Sequence, residues 1–192
     1  GSSADRAYAL ALDASGAVVV SGGTRSSNFP TTPLAYDTTH NGYWDAFVAK
    51  LNASGGALVW STFLGGTLDA RAYVLALDAA GSVVVGGETA SFFDFPTTAG
   101  AYDTTQNGGF DVFVAQLSPS GSALPGSTFL GGAGDESPTG LALIASGAVV
   151  VSGHTNSSGF PTTGGAYDTT FNLSTDAFIA KLAPLTNSRL PR

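Results

Sequence analysis

The chain repeats one phrase three times: "FPTTPLAYDTT" at residues 29–39, "FPTTAGAYDTT" at 95–105 and "FPTTGGAYDTT" at 160–170. A second marker, "DAFVAKL", "DVFVAQL" and "DAFIAKL", begins at Asp45, Asp111 and Asp176, and both markers recur at spacings of 66 and 65 residues. Two independent markers on one spacing define a structural repeat. Each copy must then fold alike and bury a face against its neighbour. The whole chain, 1–192, reads as a single repeat domain of three units, about 4–66, 67–132 and 133–192.

Each unit divides into four strand-like runs. In the second copy "AYVLALD" (72–78), a Gly-containing turn and "SVVVGGE" (82–88) predict a hairpin, and after the long connection "DVFVAQL" (111–117), "SPSG" and "SALPGSTFL" (122–130) predict a second. No window longer than about ten residues keeps a helical period without a Gly or Pro. The fold class is all-β.

Side-chain pattern orders the runs. Leu10 and Leu12 alternate with Ala9 and Ala11, which suits converging backbones, whereas Val18, Val19 and Val20 are apolar on both faces. Lys50 lies opposite the Phe47, Ala49 and Leu51 face of the third run, predicting partial burial, and Pro125 in the fourth predicts an edge strand. A gradient from small and tight to edge-like describes a β-propeller blade, here three four-stranded antiparallel blades.

The ordered motifs "ALDASG", "VVVSG", "FPTT", "AYDTT", "DAFVAKL" and "STFLGG", followed by Asp69 or Asp135, resemble the bacterial SBBP repeat, named for seven-bladed propellers, over residues 4 to 182 or so. The resemblance implies a propeller in large exported or cell-surface bacterial proteins. It carries over no catalytic residues.

Two departures qualify it. Closed propellers have about four to eight blades, and three are present. The third copy also lacks a clear outer strand, because "APLTNSRLPR" follows Leu182, with Pro184 and Pro191. Self-association, most simply as a dimer of three blades each, or further blades of a longer chain would complete a ring. Apolar end faces would otherwise be exposed.

Composition removes several function classes. With 7 Lys and Arg against 14 Asp and Glu, the formal net charge is -7, and the chain has no basic run with which to hold nucleic acid. Cys and Met are absent, so thiol chemistry and disulfides are excluded. No apolar run approaches the roughly 20 residues of a membrane span, so no membrane insertion is expected. The opening Gly1-Ser2-Ser3 without Met reads as a trimmed or processed start.

Candidate polar sites come in two kinds. Asp45, Asp111 and Asp176, each four residues after an Asn, either gather a cation or cap the starts of their strands. Tyr36, Tyr102 and Tyr167 form an aromatic platform for sugars or pack between blades, and Phe29, Phe95 and Phe160 anchor the repeated phrase. Asp13 and Asp78 resemble a calcium loop superficially, but Ile144 replaces them in the third copy. Where the frame varies, Glu88, His154 and Arg25 are candidate ligand contacts. The sequons at Asn52, Asn156 and Asn172 matter only in a glycosylating host.

His40 and His154 lie outside the repeated motifs, and G-x-S-x-G and H-E-x-x-H do not occur. The expected function is therefore a non-enzymatic, extracellular scaffold or protein-interaction module, secreted or at the cell surface, without cofactor or metal. A lectin-like propeller that binds glycans through its loops is the alternative.

Overall fold

In the computed structural model, which describes residues 1–185, those residues hold eleven strands and no helix. They are β1 (Asp5–Leu12), β2 (Val18–Thr24), β3 (Asp45–Leu51), β4 (Leu58–Leu64), β5 (Ala70–Leu77), β6 (Val83–Thr89), β7 (Asp111–Leu117), β8 (Gly126–Leu130), β9 (Glu136–Leu143), β10 (Val149–Thr155) and β11 (Asp176–Leu182). They form three antiparallel sheets, ordered β1-β2-β3-β4, β5-β6-β7-β8 and β9-β10-β11. Pro184 lies past β11 outside any strand, and the stretch 186–192 with Pro191 lies outside the described residues.

Local chemistry sets the hairpins. Asp13 Oδ1 accepts the N–H groups of Ser15 and Ala17 at 2.8 and 3.0 Å, Asp78 repeats this with Ala80 and Ser82, and Gly16 and Gly81 turn the chain at φ of 82° and 83°. In the third turn Ile144 keeps the backbone bonds to Gly147 and Ala148 without the carboxylate. These aspartates are turn formers.

Each sheet packs one face on the next. Val19, Val48 and Leu64 of the first meet Val83, Val85 and Phe113 of the second, whose other face, with Val84, Val112 and Val114, meets Val149, Val151 and Phe178 of the third. The first strands lie together: β1 contacts β5, and β5 contacts β9. A bulge at Tyr8 in β1 and another at Tyr73 in β5 swing these two rings to a centroid distance of 4.8 Å.

The expected partial burial of the third run holds in β11, where buried and exposed residues mix, whereas residues 45–49 and 111–115 of the first two sheets are buried and Lys50 folds back onto Asp13 at 2.7 Å. The fourth run is the edge strand of its sheet, as Pro125 predicts, but that edge is covered. β8 is buried throughout, and it begins only at Gly126, just after Pro125, which has no N–H to pair, whereas the longer β4 begins at Leu58.

The repeated phrase causes this burial. Thr32 donates its N–H to Ser61 O at 3.1 Å and accepts the Ser61 N–H on its hydroxyl at 3.1 Å, while Asp37 O accepts from Phe63 N–H at 3.0 Å and its own N–H reaches the Thr62 hydroxyl at 2.8 Å. Thr98 and Asp103 repeat every one of these bonds with Ser127, Thr128 and Phe129. The phrase seals the outer edge of the fourth strand, satisfying backbone groups that an open edge would leave to water or to another chain.

Candidate functional site

Asp45, Asp111 and Asp176 stand at the first residue of β3, β7 and β11, one per sheet, and each accepts the N–H of the Asn four residues earlier, at 2.7, 2.9 and 2.7 Å. They do not converge, and no group of three or more His, Asp or Glu among the described residues is placed to hold a metal ion. In the first two sheets burial of the carboxylate raises its pKa, and Asp111 is pushed up to about 7 by burial and then by the neighbouring Glu136 and Asp103 charges.

The three tyrosines take different surroundings and build no shared platform. Tyr36 packs on the first core with its N–H on Gly121 O at 2.8 Å, and burial raises its phenol, whereas Tyr102 and Tyr167 are exposed. Phe29, Phe95 and Phe160 each pack on the phenylalanine of the third strand, Phe47, Phe113 and Phe178, at centroid distances of 4.4, 4.6 and 4.7 Å. They anchor the phrase.

The variable positions partly converge. Cross-strand pairing places Glu88 opposite Arg71, and Arg71 spans Glu88 at 3.1 Å and Asp69 at 2.7 Å while Tyr73 donates its hydroxyl to Glu88 at 2.8 Å. Burial works against the Arg71 charge, but Asp69 and Glu88 outweigh it and hold its pKa above the ordinary arginine value. The Tyr73 phenol is also raised, first by burial and then by Glu88. Arg25 stacks on Tyr43 at 3.9 Å and lies 5.9 Å from the Trp44 ring. His154 is exposed, paired with Ser137 in the third sheet, and joins none of these groups.

Trp44 is the residue that sequence reasoning missed. Its buried indole is approached by Arg6 at 5.3 Å, Arg71 at 5.1 Å and Arg25, so three of the seven basic residues gather on one ring. Gly23 permits this, because a Cβ there would stand 3.3 Å from both Trp44 and Arg71. The available signal was Trp44 standing where Phe110 and Thr175 stand in the other copies.

A cavity of about 840 Å³ lies between β8 and β11, with Phe160, Thr163 and Asp168 on its wall. Neither a scan of protein-family models nor a search of curated proteins matches this chain.

Proposed function

We propose that the chain is a non-enzymatic β-propeller segment of the SBBP repeat type: a single repeat domain of three blades, the third without its outer strand, acting as a scaffold or protein-interaction module in a secreted or cell-surface bacterial protein. Its blades close or extend a ring by pairing with a second copy or with further blades. No cofactor or metal enters this reading, and neither nucleic acid nor membrane insertion does.

One observation carries it. Ile179 is 81 % exposed at the place where Val48 and Val114 are 0 % exposed inside the stacked sheets, and at the opposite end Leu10 is 69 % exposed where Leu75 and Leu141 pack against the sheet before. The two bare faces therefore match the two halves of the internal joints, a head and a tail suited to heterologous contact. Light scattering over a concentration series tests the reading. Wild-type protein is expected to form a concentration-dependent dimer that Leu10→Asp abolishes, and a folded, strictly monomeric wild type at every concentration would sink it.

A second reading is carbohydrate binding at the loop end, favoured by the Arg25 and Tyr43 stack, whose ring is 59 % exposed. A glycan array without hits counts against it.

A further inference from the structure

The third sheet carries the edge seal without the edge. Within the 160–170 phrase, Ala166 N–H still bonds Thr163 O at 3.1 Å and Thr170 N–H still bonds Asp168 Oδ1 at 2.8 Å, matching the turns at Ala35 and Ala101 and at Thr39 and Thr105. Phe160 is stacked on Phe178 as Phe29 is on Phe47. The loop is thus preformed. Yet the groups that Thr32 and Asp37 offer to β4, and Thr98 and Asp103 to β8, are offered by Thr163 and Asp168 to open space, the cavity of about 840 Å³ beside β11. Thr163 and Asp168 are exposed.

The structure itself contains what fills such a space, twice. Phe47 pairs with Phe63, Val48 with Thr62 and Ala49 with Ser61, and Phe113, Val114 and Ala115 pair in the same order with Phe129, Thr128 and Ser127. Transferred to β11, this register sets Phe178 opposite Phe, Ile179 opposite Thr, Ala180 opposite Ser and Ala177 opposite Leu. The incoming Phe would lie against Phe160, as Phe63 lies 6.2 Å from Phe29 and Phe129 lies 5.6 Å from Phe95. No Ser-Thr-Phe-Leu follows Leu182 in the sequence.

We propose that β11 and the 160–170 phrase form a receptor for an extended Ser-Thr-Phe-Leu strand from outside this sequence, which enters antiparallel to β11 and is clamped by Thr163 and Asp168. Sheet augmentation of this kind draws affinity from main-chain bonds and specificity from alternate side-chain pockets. The inference rests on strand registers and holds whether or not the end faces self-associate.

The test is a titration of labelled Gly-Ser-Thr-Phe-Leu-Gly-Gly, the sequence of residues 126–132, with the whole protein, followed by fluorescence anisotropy. It is run on wild type and on Leu10→Asp, so that loss of self-association and loss of strand binding are read separately. Saturable one-to-one binding is expected, at least tenfold weaker when the peptide Phe is Ala, several-fold weaker with Thr163→Val protein, and lost when the peptide Thr and Leu amides, which face β11, are N-methylated. The peptide-side changes leave the fold of the protein untouched. Affinity no better than that of a scrambled peptide, or equal affinity for the N-methylated one, overturns the proposal. So does a dimer paired through the β11 edges that added peptide fails to separate.

Discussion

The carboxyl groups of Asp111 and Glu136 converge on Gly131: a Cβ on that glycine would stand 2.6 Å from Asp111 Oδ1 and 2.6 Å from Glu136 Oε2. Both acids are buried, and each is partly satisfied. Glu136 accepts the Gly132 N–H at 2.8 Å and the Thr155 hydroxyl at 2.5 Å, and Asp111 accepts the Asn107 N–H, while Asp111 Oδ1 has no hydrogen-bond partner. Two acids of like charge in a dry place favour retaining a proton.

Stability should therefore rise as pH falls from 8 to 5. Asp111 titrates near 7 in the folded chain and near 4 when unfolded, so the folded state holds the extra proton between these values. The stabilisation is complete below the unfolded value and is lost as pH rises through the folded one, at up to about 1 kcal/mol per pH unit. Asp111→Asn should flatten this slope and raise the melting temperature at pH 8. Thermal scans of both proteins across that range check it, and parallel slopes would refute it.

Gly131→Ala should destabilise the chain by about 2–4 kcal/mol, because the added carbon meets Asp111 Cγ at 2.5 Å inside the packed core. Gly159→Ala, where nothing lies within 4 Å, should be nearly neutral. Urea denaturation of the pair separates a steric cause from a general intolerance of substitution.

Thr98→Val should cost about 1–2 kcal/mol, since it strips the Ser127 N–H of its acceptor at 3.0 Å. Thr163→Val, the same change in the third copy, should cost almost nothing in the absence of a bound strand. Equal losses at both positions in chemical denaturation would mean that the edge bonds do not matter.

Trp44→Leu should lose about 2–3 kcal/mol through the cavity left by the indole and the loss of its three guanidinium contacts. Because the contacts are made by charge as well as by area, adding Arg25→Met to that variant should cost less than Arg25→Met alone. A double-mutant cycle measures the difference, and strict additivity would remove the cation–π account.

The repeat and the strand starts were legible because they are local: Asp45, Asp111 and Asp176 begin their strands where the spacing puts them, and Gly16 and Gly81 mark the turns. Burial of the fourth strand was not legible, because its cover reaches Ser61 from Thr32, 29 residues away, and Ser127 from Thr98 at the same separation. Pro125 marked the edge strand of its sheet, but nothing near it in sequence announced the cover on that edge. The Trp44 cluster escaped for a related reason. Its arginines come from β1, from the end of β2 and from β5, and no linear pattern sets three residues of two sheets around one ring. The tyrosines were alike in sequence and became different through what lies beside them: Tyr36 packs on the first core beside Gly121 in the turn between β7 and β8, whereas Tyr102 and Tyr167 are exposed.

The edge seal has a bearing on how such a chain can lengthen. A duplicated stretch of sequence that brought a sheet with a raw margin would add a sticky flank at every copy, and misassembly would grow with the number of copies. Here each stretch carries its own hem, since Thr32 and Asp37, or Thr98 and Asp103, close the margin that the same stretch creates. In those two sheets the margin is closed, and only the broad faces are left to pack on a neighbouring sheet.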